Sequence, residues 1–162
     1  MAARREHSRG GVTLIEFGVV LAIIGTLAAI LSTSYLAYLE RVRVVRAVLE
    51  ITNLATALSA YLVDNEELPA TLADAKLGAP IDPWGNPYQY LPLDGTHLPE
   101  GGGGGPPGHP RKDRFLVPIN TDFDLYSMGR DGESVPPLTA EKSRDDVVRA
   151  ANGAFVGLAS KF

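Results

Sequence analysis

Between Val12 and Leu31 this chain carries a single charged side chain, Glu16, and that run limits the possible folds more than any other stretch. About twenty apolar residues is the length a helix needs to cross roughly 30 Å of hydrocarbon. In front of it, Met1 to Gly11 holds Arg4, Arg5 and Arg9 and almost nothing apolar, the charge pattern of a basic leader kept on the cytoplasmic side of a membrane. A secretory signal would place its small residues after the apolar core. Here Gly10 and Gly11 precede it, so cleavage at this point would leave the apolar helix in the product.

The helical signal continues without Gly or Pro from Leu31 to about Asp64, and it becomes one-sided. Val44, Val48, Ile51, Ala55, Leu58 and Leu62 recur at spacings of three and four, while Glu40, Arg43, Arg46, Glu50 and Asn53 fall on another face. A single helix from Val12 to Asp64 would be about 80 Å long. Its first half, 12–34, suits lipid or a filament core. The amphipathic half, 35–64, needs a surface for its apolar stripe, and the chain's own sheet is the simplest one.

The remainder, 65–162, reads as a small globular unit. Asn65 to Pro87 is rich in Pro, Asp and Asn, with one helical turn expected around Leu72 to Leu77. Tyr88 to Leu93 alternates aromatic and polar residues as a strand does. Asp94 to Arg114 contains the glycines 101–105 and then Pro106, Pro107 and Pro110, a composition unable to bury enough apolar area to order itself, so an exposed mobile insertion is expected. Phe115 to Ile119 and Phe123 to Met128 read as a hairpin turning at Asn120-Thr121-Asp122, with Pro118 confining the first strand to an edge. Ser143 to Asn152 suggests a short helix capped by Ser143, with Asp145 and Asp146 in its first turn. The apolar tail from Ala154 to Phe162 should pack back on the domain.

Charge and chemistry narrow the function. The formal net charge is -4 and the leader is basic, so the rest of the chain is acidic and offers no footprint for nucleic acid. There are no cysteines, which excludes disulfides, thiolate metal sites and thiol nucleophiles. His7 lies in the leader, and His97 and His109 flank or occupy the insertion, where solvated histidines are the default. Gly101 to Gly105 lacks a Lys-Ser/Thr ending and a following helix, so it is not a phosphate loop. No Ser-His-Asp or paired-acid arrangement stands out, and the chain reads as non-enzymatic. Trp84 suits packing at a helix–sheet junction.

Glu16 is the sharpest single signal, because an ionised carboxylate in lipid costs several kcal/mol unless it finds a partner or a proton. Either it stays hydrated at the membrane interface, or it waits for a cation supplied by another molecule. Removal of the leader after Gly11 would create such a cation, the α-amino group of Val12 on a neighbouring copy.

Gly11-Val12-Thr13-Leu14-Ile15-Glu16 behind a short basic leader resembles the prepilin cleavage motif of type IV pilins and type II secretion pseudopilins. The resemblance implies cleavage after Gly11 by a membrane aspartyl peptidase, N-methylation of Val12, and an assembly role for Glu16. Many members kink the helix with a proline near Thr33, where this chain has Ser32-Thr33-Ser34, whose hydroxyls can bend a helix more gently. Asp82-Pro83-Trp84-Gly85-Asn86-Pro87-Tyr88-Gln89-Tyr90 and Phe123-Asp124-Leu125-Tyr126-Ser127-Met128-Gly129-Arg130-Asp131-Gly132 resemble the two signature stretches of the major pseudopilin. In that family the second stretch opens a loop that binds calcium, and by position the ligands here would be the Met128 carbonyl, Asp131, Asp145 and Asp146. Oxygen-only ligands suit Ca²⁺. Read without the family, Asp131 is a turn residue and Asp145-Asp146 are first-turn helix acids.

The expected fold is therefore α+β and pilin-like, a long N-terminal helix packed on a small antiparallel sheet with a loop-rich C-terminus. The expected function is that of a filament subunit, resembling the major pseudopilin of type II secretion. Implied partners are copies of itself, the prepilin peptidase, an inner-membrane assembly platform and minor pilins or pseudopilins. Implied placement is a single pass in a bacterial inner membrane with a periplasmic globular domain, and a periplasmic or surface filament after assembly. The alternatives are a type IV pilus pilin, or a single-span membrane protein with a periplasmic ligand-binding domain.

Overall fold

A computed structural model describes residues 11, 13–93 and 109–162. Residues 1–10 of the leader, Val12 and the glycine run lie outside the described residues, as do the side chains of Ser32, Thr33 and Ser34, expected to bend the helix. The chain divides into two units between Glu40 and Arg41.

The helix α1 runs from Leu14 to Asn65. From Leu14 to Ile30 every apolar side chain is exposed, Leu14 at 91%, Phe17 at 60% and Leu27 at 55%. In the second unit one stripe is covered. Ala47, Ile51 and Leu58 are fully buried, and Val44, Val48, Leu54, Ala55 and Leu62 pack against the same cluster. That stripe contains every position picked out by the spacing of three and four.

Among the described residues the sheet has four antiparallel strands in sequential order: β1 (Gln89–Pro92), β2 (Phe123–Ser127), β3 (Val147–Ala150) and β4 (Phe155–Leu158). β1 falls inside the stretch whose aromatic alternation predicts a strand and β2 inside the strand expected from Phe123 to Met128, with Tyr90 opposite Leu125 and Leu91 opposite Asp124. β2 and β3 are the inner strands, and every residue of both is buried. Alternation then divides the core. Phe123, Leu125 and Val147 join the helix stripe together with Leu68, Leu72 and Tyr88. Tyr126, Val148 and Ala150 belong to a second cluster with Ile119, Leu138 and Ala159. Each fully buried Leu, Ile or Phe contributes about 1.5–3 kcal/mol, so the two clusters carry most of the fold's stability. Trp84 is half-buried against the first cluster, the packing place expected for it.

Three expectations are corrected. Phe115–Ile119 is not a strand of a hairpin: Asp113 and Leu116 exchange backbone hydrogen bonds and close a turn on themselves, with Arg114 at φ 43 and Phe115 at the exposed apex. The strands beside β2 are instead β1 and β3. Ser143–Asn152 is not a helix. It holds the end of a short 3₁₀ turn (Glu141–Ser143) and then β3, because Val147 and Val148 have a strand to pair with on each side, and that context overrides the cap-like Ser-Arg-Asp-Asp. The Ser143 hydroxyl caps nothing helical; it donates to the Val135 carbonyl and accepts the Val135 N–H. Finally, the end of the Gly/Pro-rich stretch is not a solvated loop, since Arg111 within it is 1% exposed.

Candidate functional site

Two places hold the residues singled out by the sequence. The first is the start of α1. Thr13 precedes the helix, and its hydroxyl accepts the Glu16 N–H at 3.2 Å while the Glu16 carboxylate accepts the Thr13 N–H at 3.5 Å. This is a capping box, two orphan backbone donors satisfied reciprocally. Its signature, a Thr followed three residues later by Glu, stands in the sequence, but the apolar surroundings of Glu16 point to a distant partner and hide the near one. Glu16 thus has a place inside one subunit: an acid in the first turn of a helix, favoured by the partial positive charge there. Gly11 is exposed, and Val12 lies outside the described residues.

The second place is the C-terminal half, where the two signature stretches meet. Asp82 is buried, with one carboxylate oxygen accepting the N–H groups of Trp84 and Asn86 and the other accepting the Ser127 hydroxyl at 2.5 Å. Ser127 in turn accepts the Gly129 N–H, and the Asn86 amide donates to the Gly129 carbonyl at 3.1 Å. Gly129 sits at φ +65, and a Cβ there would lie 2.5 Å from the Asp145 carbonyl oxygen. Only glycine fits that combination of left-handed backbone and close approach.

Next to this junction lie the four positions of the expected calcium set. Asp145 accepts the N–H groups of Arg130 and Asp131 at 2.8 and 3.2 Å, and Asp131 accepts the Glu133 N–H at 2.8 Å. Met128 is half-buried and packs against the second core cluster. Asp146 does not join them. Its carboxylate is fully buried against the guanidinium of Arg111, Oδ2 to Nη2 at 2.5 Å, and also accepts the Ser134 hydroxyl. Among the described residues no group of three or more His, Asp or Glu side chains is placed to hold a metal ion. The acids do not converge as a ligand set: Asp146 faces an internal cation through Oδ2, and Asp145 and Asp131 each give one oxygen to backbone donors.

Among the described residues Arg111 is one of two buried arginines built alike. It stacks on the Tyr126 ring at 4.3 Å, donates to Ser134 and to the Val135 carbonyl, and its backbone N–H bonds Asp124 at 2.6 Å. Arg149 stacks on Phe123 at 4.1 Å and grips Asp122 with both terminal nitrogens, at 2.8 and 2.6 Å. Asn120 links the two by bonding Asp124 and the Arg149 carbonyl. The environment moves the acids apart. Burial pushes Asp146 up to about 6 against the opposing pull of Arg111 and Ser134, and burial likewise raises Asp124. Burial also works on Asp122, but the Arg149 and Phe123 donors outweigh it and hold that carboxyl below the ordinary range. Burial raises the Tyr88 and Tyr126 hydroxyls, Tyr88 with further help from Glu50, to which it donates at 2.7 Å.

The chain is 33% identical over 151 residues to the type II secretion system core protein G of Pseudomonas aeruginosa, an alignment covering 80% of this chain and 88% of that one. It is 31% identical to the Escherichia coli K12 core protein G, with the same coverage. A shorter likeness, 45% over 58 residues, links it to a fimbrial protein of Pseudomonas aeruginosa, covering 36% of this chain and 38% of that protein. No protein-family profile and no solved structure matches the chain.

Proposed function

The chain belongs to the family of the type II secretion system core protein G, the major pseudopilins, and from that premise we propose that its working form is a subunit cleaved between Gly11 and Val12, methylated on Val12 and polymerised through its apolar helix. The observation that carries this reading is the contrast along α1. The half beyond Arg41 buries its stripe on the protein's own sheet, while the half from Leu14 to Ile30 buries none of its apolar side chains. Lipid satisfies that surface in the stored subunit, and neighbouring helices satisfy it in the filament.

The globular unit then lies on the periplasmic side and forms the filament surface. Prepilin peptidase, the inner-membrane assembly platform and minor pseudopilins are the implied partners. Glu16 has two uses in succession. Within one subunit it closes the capping box with Thr13; after cleavage the new Val12 amine of a neighbour offers it a full positive charge, a stronger partner than an N–H dipole. Secretion rather than a pilus is favoured because the core protein G relatives match over 80% of the chain and the fimbrial likeness over 36%.

Mass spectrometry of protein extracted from membranes tests the reading directly. The expected product lacks the first eleven residues and carries an N-methyl group on Val12. An intact Met1 in cells with active prepilin peptidase would sink the proposal and leave a single-span membrane protein. A Glu16→Ala variant is expected to be cleaved and inserted normally but to give few filaments, and a normal filament yield would remove Glu16 from assembly.

A further inference from the structure

The resemblance to major pseudopilins implies a calcium ion at the loop that follows β2, yet the positive charge at the innermost acid of that loop is supplied by the protein. We propose that the guanidinium of Arg111 takes the place of a metal ion in this subunit, so that the C-terminal loop closes and the domain folds without calcium. This inference does not depend on cleavage at Gly11 or on polymerisation.

The geometry is that of a clamp with three arms. Nη2 holds Asp146 at the entrance to β3, Nη1 holds Ser134 and the Val135 carbonyl in the loop, and the flat face of the group lies on Tyr126 of β2. One side chain thus ties together the loop, the strand before it and the strand after it. Planar, delocalised and always charged, a guanidinium suits such a buried fork. The backbone beside it continues the stitching: Lys112 N–H donates to the Pro136 carbonyl and Leu138 N–H to the Lys112 carbonyl, at 3.0 and 2.9 Å. A divalent ion that shared Asp146 would stand beside a fixed guanidinium, and like charges at such range repel strongly where water is excluded.

The outer acids are served in the same spirit by hydrogen-bond donors instead of a cation. Two N–H groups point at the Asp145 carboxylate and one at that of Asp131. Lys142 adds an ion pair to Glu133 at 2.5 Å across the loop. Calcium takes 6–8 oxygen ligands, and the Asp145 and Asp131 carboxylates each already have one oxygen engaged by backbone N–H groups. In a chain without cysteine, a loop-rich end still needs a staple, and Arg111 with Asp146 and Ser134 forms one.

The test uses the full chain purified in detergent and stripped with chelator, its unfolding followed by near-ultraviolet circular dichroism in excess calcium and in excess EGTA. The expected result is the same melting midpoint in both. An ion present at about a hundred times its Kd would raise the midpoint by about 5–10 °C, and a rise of that size in the wild type overturns the proposal. Arg111→Lys keeps a positive charge and loses the fork; its midpoint is expected to fall by about 5 °C or more, equally with and without calcium. A midpoint unchanged by Arg111→Lys would equally overturn it. Should that variant fail to fold, Ser134→Ala, which removes one arm of the clamp at a half-buried position, is expected to lower the midpoint by a few degrees, and no fall there would count against the clamp.

Discussion

The helix start and the inner strands have opposite relations to their surroundings. From Leu14 to Ile30 apolar side chains face outward and none of them finds a place in the subunit's own core. In and beside β2 and β3, two arginines are carried inward and paired with acids, Arg111 with Asp146 and Arg149 with Asp122. The difference teaches where each part gets its stability. The first region has no internal partner for its apolar surface, while the second depends on partners inside the subunit.

Breaking an internal partnership should therefore have the largest effect. Arg149 is buried, stacked on Phe123 and bonded to both Asp122 oxygens and the Phe123 carbonyl. Arg149→Ala leaves Asp122 without its counter-charge and a cavity over the ring. About 3–5 kcal/mol of destabilisation is expected, measured by denaturant unfolding of the detergent-solubilised chain. A loss below about 1 kcal/mol would mean that the second region is not held by its internal charges.

A matched pair of apolar truncations sharpens the contrast. Leu58 is fully buried in the stripe of α1 that meets β2, so Leu58→Ala is expected to cost about 2–5 kcal/mol. Ile23 is exposed on the other half of the same helix. Ile23→Ala should leave the unfolding midpoint within about 0.5 kcal/mol of wild type and lower filament yield in cells instead. If Ile23→Ala destabilised the isolated subunit as Leu58→Ala does, the two halves would not differ in the way their exposure indicates.

The helix start is the place for a smaller effect. Thr13→Ala removes one half of the capping box, and about 1 kcal/mol of local helix stability goes with it. Hydrogen exchange at Glu16 and Phe17 should quicken while the midpoint of the globular unit stays fixed. Unchanged exchange would show that Thr13 does not hold the helix start.

How legible these two regions are follows from the range of the forces that make them. Both halves of α1 can be read from the chain because helix periodicity is a local property, and every residue of the predicted stripe packs against the core cluster. β1 can be read from its aromatic alternation, and β2 from its apolar composition after a turn, though not its partners. β3 cannot, since Ser143, Asp145 and Asp146 imitate a capped helix start and only the neighbouring strands say otherwise. Arg111 is the least legible residue of importance. It stands in a stretch whose composition signals a solvated loop, and its partner Asp146 lies 35 residues later. At the helix start the Thr13-Glu16 box is local and legible as a Thr followed three residues later by Glu, although a carboxylate in an apolar run draws the eye to distant partners.

The smallest expected effect uses pH to tell the two kinds of buried acid apart. Asp122 is held below its ordinary range by Arg149 and the Phe123 N–H, so the folded state gives up that proton more readily than the unfolded chain. Its contribution is present above the unfolded value of about 3.9 and is lost as pH falls through the lower folded value. Asp146 runs the other way: raised to about 6 by burial, it binds a proton more readily when folded, and its contribution is lost as pH rises from about 4 to about 6. The two trends oppose each other in the wild type, so total stability against pH reveals neither. The difference between wild type and Asp122→Asn isolates the first, because Asn keeps the shape and one acceptor for Arg149 but cannot titrate. That difference should be steady from about pH 7 to about pH 5 and should shrink as the pH drops below about 4. A difference that does not change with pH would mean that Asp122 contributes through its shape and hydrogen bonds alone, and that charge is not what joins Arg149 to the loop before β2.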